Sequence, residues 1–159
     1  QKKAQLPEGY IQVVQEADLV REVLNLRELP LAACHCDPLA ENFLDTGERM
    51  YIIDWEYSGN NDPMWDLGDL VIEAEMDLEQ EQALIEAYFD GNVPTVEHGR
   101  IVIYKAMCDL LWTLWGVIQH VNDNPADDFW SYAVKRFDRC KILMESNSFS
   151  QAIAAVRQG

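Results

Sequence analysis

Residues 31–68 run LAACHCDPLAENFLDTGERMYIIDWEYSGNNDPMWDLG, and the alternation of short apolar runs with acidic residues in this stretch decides the fold. Leu31 to Cys34 is a short apolar run, read as a buried strand or a strand-like entry. Phe43-Leu44 and Met50-Tyr51-Ile52-Ile53 are two more, separated by the turn sequence Asp45-Thr46-Gly47-Glu48. Residues 43–53 are therefore expected to form a β-hairpin. Asp62-Pro63 then opens a helix, since proline is tolerated in a first turn. The polar residues that resist a structural explanation lie between 35 and 66, beside these short strands.

Outward from this stretch the periodicity is helical. Val13, Val14, Leu19, Val20, Val23 and Leu24 recur at three- and four-residue steps, so a helix is expected from Ile11 to about Leu26, stopped by Pro30. Downstream, helices are expected at about Met64–Glu75 and Leu78–Phe89. A break at Asp90–Pro94 follows, with Thr95 as N-cap. Val96–Val121 is apolar on most faces and reads as a deeply buried helix. Asn122–Pro125 breaks it, a long helix covers about Ala126–Met144, and an amphipathic tail runs from Phe149 to Val156. The expected fold is mainly α, of α+β class, with one small hairpin carrying the polar residues and packed on a helical bundle.

Composition bounds the function. The 159 residues are 48% hydrophobic and include five Trp, which is ample for one core and excludes general disorder. With 12 Lys+Arg against 28 Asp+Glu the net charge is −16. Such a surface repels phosphate backbones and anionic headgroups, so neither nucleic acid nor a membrane is an expected partner. A cationic substrate or bound metal ions are compatible with it. No apolar run is read as a bilayer span of roughly 20 residues. Cys34, Cys36, Cys108 and Cys140 form no C-x-x-C pair, so reduced thiols and a cytoplasmic location are expected.

Transfer of a phosphoryl group to a hydroxyl requires a carboxylate beside that hydroxyl and hard oxygen ligands for Mg²⁺ at the nucleotide phosphates. Asp37 and Asn42 are five apart after the first apolar run, and Asp54 follows the third. Either pair alone is ordinary turn composition. Together they reproduce the kinase order of H-x-D, four residues, N, then a metal-binding Asp after a strand.

His35 to Gly68 resembles the catalytic segment of the choline/ethanolamine kinase family, within the aminoglycoside-phosphotransferase-like kinases. The family pattern is H-N-D-x-x-x-x-N, then I-D-[FW]-E-Y-x, then D-[IL]-[AG]. Here it reads His35-Cys36-Asp37…Asn42, Ile53-Asp54-Trp55-Glu56-Tyr57-Ser58 and Asp66-Leu67-Gly68. Leu111-Trp112-Thr113-Leu114-Trp115 is similar to the family's L-W-x-L-W, and Tyr132-Ala133…Arg136-Phe137-Asp138 to its Y-A-x-x-R-F-D. The resemblance implies that Asp37 is the catalytic carboxylate, that Asn42 and Asp54 are Mg²⁺ ligands, and that His35 is structural in the catalytic loop. Asp66 would steady that loop by accepting backbone hydrogen bonds, or else simply complement a helix N-terminus. Glu56 either supports the metal or faces solvent.

A quaternary ammonium has no N–H to donate, so aromatic faces and a nearby carboxylate must recognise it. Trp112 and Trp115 lie on neighbouring parts of one helix face. Under the resemblance they become cage walls together with Tyr132, with Trp130 on the same following helix. Glu73, seven residues after Asp66, would face the cationic head, or else be a solvated helix residue. Gln119 lines either the pocket or the core, and Trp55 and Trp65 are read as core.

The resemblance departs from its family at Cys36, where Asn is usual. Nothing before His35 resembles a phosphate-cradling loop or its lysine. The expectation is a single C-terminal lobe over 1–159, with the N-terminal nucleotide-binding lobe missing. That lobe would serve a kinase moving the ATP γ-phosphoryl group to choline or ethanolamine, and would be inactive alone. Rival readings are a related kinase acting on an aminoglycoside, thiamine or a sugar, a non-catalytic quaternary-ammonium binding module, and a plain helical interaction domain. The surface near Leu31–Leu44, uncovered without that lobe, is a candidate homodimer face.

Overall fold

The computed structural model describes residues 4–29 and 31–159. Helix α1 (Tyr10–Leu24) buries Tyr10, Val13, Val20 and Val23 on one stripe. Pro30, read as its stop, lies outside the described residues. Strand β1 (Ala32–Cys34) follows, and after a short 3-10 turn at Ala40–Asn42 come β2 (Phe43–Asp45), β3 (Met50–Ile52) and β4 (Gly59–Asn61). The remainder is helical, with α2 (Pro63–Glu73), α3 (Leu78–Tyr88), α4 (Thr95–Val121), α5 (Phe129–Met144) and α6 (Asn147–Gln158).

The expected hairpin is present, with Phe43 opposite Ile52 and Asp45 opposite Met50. A second antiparallel ladder was not expected. β1 pairs with β4, Ala32 opposite Asn61 and Cys34 opposite Gly59. Gly59-Asn60-Asn61 has poor strand propensity, so this strand comes from tertiary pairing rather than from local preference. The two ladders bring the ends of β1 and β3 and the start of α2 into one region.

The helix starts follow capping chemistry. The Asp62 carboxylate accepts from Met64 N, with Pro63 in the first turn of α2. Asp77 and Gln80 form a reciprocal capping box on α3. Several boundaries differ from expectation, and α6, expected at Phe149–Val156, runs longer at both ends. Pro94 rather than Thr95 occupies the N-cap of α4. α5 begins at Phe129 rather than Ala126, because the Asp128 side chain accepts from both Ser131 N and Ser131 Oγ and sets the start there.

α4 is the central element. It packs against α2, α5 and α6, and its Ile101, Ile103, Ala106, Cys108 and Thr113 are fully buried. Its 27 residues are long and apolar enough to cross a bilayer, which the sequence reading had not allowed for. In this fold most of that apolar surface is covered by neighbouring helices. Buried ion pairs pin the bundle. Arg100 meets Asp62, and Asp109 receives Arg136 Nη1 at 3.1 Å and Arg139 Nε at 2.7 Å. All four cysteines are free.

Candidate active site

The loop after β1 is fixed by its backbone. Asp66, in the first turn of α2, accepts His35 N–H at Oδ2 (2.6 Å) and Cys36 N–H at Oδ1 (2.9 Å). His35 Nε2 donates to Ile53 O at 2.7 Å, which ties the loop to the end of β3, and its ring lies 4.9 Å from Trp55. Leu39 N (2.9 Å) and Asn42 Nδ2 (3.2 Å) both donate to Asp37 O. Trp55, read as core, is 49% exposed; its indole donates to Ile52 O and covers His35. Trp65 is half-buried against Tyr104, and its indole donates to Cys36 O.

Cys36 and Asp54 both adopt left-handed backbone, with φ of 67° and 62°. Asn and Asp tolerate that region better than other side chains, so the Asn usual at position 36 suits it and a Cys is strained there. The two hydrogen bonds to Asp66 offset that strain.

Burial raises the Asp37 pKa first, Asp54 and Glu56 raise it further, and His35 and Arg136 oppose the rise. A carboxyl so placed is a better proton acceptor near neutral pH than a fully solvated one. Glu56 is exposed, close enough to Asp37 to shift its ionisation. Asp54 is exposed just beyond β3, and Asn42 spends its N–H on the loop, which leaves its amide oxygen for another partner. Among the described residues no group of three or more His, Cys, Asp or Glu gathers to hold a metal alone. Two hard oxygen donors fit Mg²⁺, which is commonly held by one or two protein ligands plus phosphates and water.

The rings expected to be cage walls do meet. Trp112 and Trp115 lie 6.1 Å apart edge to face, Trp115 and Tyr132 5.7 Å, and Tyr57 stands 6.3 Å from Trp112. Trp130 does not join them; it packs on His120. Gln119 does not bond to them either, since its Oε1 accepts from Asn124 Nδ2 at 2.9 Å and serves the loop after α4. Glu73, expected either to face a cationic head or to be a solvated helix residue, has its side chain mostly out of solvent and in contact with Arg136 Nη2 as an ion pair, out of hydrogen-bond alignment. Arg136 also stacks 5.0 Å over the Tyr132 ring, so one face of that ring is taken. A pocket of about 150 Å³ lined by Glu73, Tyr132, Arg136 and Arg139 adjoins the cluster.

The sequence model of the choline/ethanolamine kinase family matches residues 2–97, more than half of the chain. The chain belongs to that family. A choline/ethanolamine kinase family protein from Mesorhizobium loti has 63% identity and a TM-score of 0.94 over 99% of this chain and 54% of its own. Choline kinase LicA from Streptococcus pneumoniae has 34% identity and a TM-score of 0.72 over 90% of this chain and 50% of its own. A LicA structure in complex with AMP has 31% identity and a TM-score of 0.69 over 97% of this chain and 50% of its own. Protein LicA of Haemophilus influenzae is 34% identical over 125 residues, 75% of this chain and 46% of that protein. The chain thus spans about half the length of these relatives.

Two residues of the site escaped the reading of the sequence. In the sequence Tyr57 stands out only as the last residue of the I-D-[FW]-E-Y motif of this kinase family. Asp69, in α2 among ordinary helix residues, gave no sign of burial; its only signal was a position three residues after Asp66, on the same side of the helix.

Proposed function

We propose that this chain is the C-terminal lobe of a small-molecule kinase that transfers the ATP γ-phosphoryl group to the hydroxyl of choline or ethanolamine. The observation that carries the proposal is the joining of two groups of residues. The Asp37 loop, clamped by Asp66, lies close enough to Arg136 and Asp69 to share electrostatics with the ring cluster those residues border. A substrate with a cationic head among Trp112, Trp115, Tyr57 and Tyr132 would reach back toward Asp37 with its hydroxyl. Asp37 would orient that hydroxyl and accept its proton, so rate comes from positioning and preorganised charge. Mg²⁺ held through Asn42 and Asp54 would offset charge on the phosphates.

The exposed apolar side chains of the hairpin, Leu44 and Tyr51 on one side and Met50 and Ile52 on the other, would help seat the nucleotide and the half of the polypeptide that the relatives carry in addition. Without that half, the surface near Leu31–Leu44 would be the homodimer face and turnover would be lost. The reading makes the protein a cytoplasmic enzyme.

The test is a substrate panel on the full-length polypeptide carrying this chain, followed by ADP release and Trp fluorescence. Choline and ethanolamine should change both, whereas an aminoglycoside, thiamine or a sugar should change neither. Stimulation by one of the latter alone would move the substrate to the related kinases. Binding of choline without ADP release would favour a non-catalytic module.

Gly116 supplies a sharper check of the cage. A Cβ at this position would lie 2.7 Å from Tyr132 Cδ1 and 3.1 Å from Ala133 Cβ. Gly116→Ala is expected to displace the Tyr132 ring, to weaken choline binding about tenfold, and to cost about 1–3 kcal/mol of stability by overpacking. Fluorescence titration with choline measures the first effect; unchanged affinity would remove Tyr132 from the cage.

A further inference from the structure

Asp69 is 0% exposed, and its one hydrogen bond of standard geometry comes from Trp112 Nε1, 3.0 Å from Oδ1. Oδ2 has no hydrogen-bond partner among the described residues. The Cys108 thiol is near enough to favour the charged form without reaching bonding geometry. Buried carboxyls are ordinarily paired with a cation, because an ionised group loses its water shell on burial. This one has no such pairing. The groups around it are Glu73 on its own helix, Asp37 and the Cys36 thiol from the loop after β1, and Cys108 and Trp112 from α4. Arg136 of α5 engages Glu73 and Asp109 instead.

A purely structural role does not account for an aspartate here. An asparagine of the same shape would accept the indole N–H equally well, with no ionisable group to bury. The second oxygen is what asparagine would not supply, and the carboxylate is bonded through Oδ1 to Trp112, a wall of the ring cluster.

We propose that Asp69 is a positioning and charge-tuning residue of the cation cage, holding the Trp112 ring by its indole N–H and taking up full negative charge when a cationic head enters. The proposal rests on the reading of the ring cluster as the cation site. Burial and Glu73 hold the empty-site carboxyl up, to about 7. A cation bound nearby favours the ionised form, so the proton leaves to solvent as the cation arrives. The resulting carboxylate attracts the cation through a poorly screened interior. Through its bond to the indole it also enriches the π face that the cation meets. The sign follows from this: affinity rises with pH through the carboxyl's own range, and binding releases protons.

Choline carries a fixed charge, so its titration against the full-length polypeptide at pH 6, 7 and 8 without nucleotide reads the protein alone. If a nearby cation lowers the Asp69 pKa by about one unit, choline affinity should rise about fivefold from pH 6 to pH 8. Calorimetry in buffers of different ionisation enthalpy should show proton release near pH 7. Asp69→Asn, which keeps the indole bond, should bind choline more weakly at pH 8 and with no pH dependence, whereas Glu73→Gln, which removes a charge that holds the Asp69 carboxyl up, should move the slope to lower pH. A flat wild-type profile, a slope surviving in Asp69→Asn, or a slope moved to higher pH in Glu73→Gln would overturn the proposal while leaving the cage standing. Absence of choline binding at every pH would instead overturn the cage reading, and this proposal with it.

Discussion

Asp37→Ala should lower kcat for phosphoryl transfer about 10³-fold, within the range expected for loss of a general base, with little change in KM for choline. The fold should survive. The loop is held by main-chain bonds from His35 and Cys36 to Asp66, and by donors to the carbonyl of Asp37 rather than to its carboxylate. Steady-state kinetics beside far-UV circular dichroism would check both halves. A variant with native kcat would remove Asp37 from the chemistry. A variant that unfolds would mean that the carboxylate is structural.

The largest effect on stability is expected at Asp62. This residue is 1% exposed and joins two helices. It caps α2 through Met64 N at 3.0 Å, and it accepts Arg100 Nε at 2.8 Å and Tyr104 Oη at 2.9 Å from α4. Asp62→Ala would strand a buried guanidinium and a buried hydroxyl while removing a cap. A loss of about 3–5 kcal/mol is expected, as for breaking one side of a buried ion pair. The exposed Lys135–Glu75 pair at 2.8 Å should contribute little, because solvent screens it. Urea midpoints of the variants measure the contrast. A loss at Asp62 no larger than at Lys135 would mean that water reaches Arg100 and the junction is not dry.

Much of this arrangement was legible in the order of residues. The helices show as apolar periodicity because each buries one stripe. The hairpin shows because Asp45–Glu48 is turn chemistry between two apolar runs. Asp66 was legible only as one of two alternatives, a loop clamp or a helix-start carboxylate, and its geometry supplies both at once. What stayed hidden depends on partners distant in the chain. Gly59–Asn61 is a strand only because Ala32–Cys34 lies beside it. Trp55 looks like core by type, yet it sits at the rim and covers His35. Glu73 and Arg136 each stand out in the sequence, but nothing local says that they neutralise one another. Asp69 is the extreme case: its burial is set by α4 and the loop after β1 together.

The measurement that bears most directly on the proposed chemistry is transfer of label from γ-labelled MgATP to choline by the full-length polypeptide carrying this chain. Labelled phosphocholine should form at a rate set by choline concentration, and its formation should vanish in Asp37→Ala. Label released only as inorganic phosphate, or transferred equally well by Asp37→Ala, would contradict the assignment of Asp37 and its loop as the centre of a choline/ethanolamine kinase.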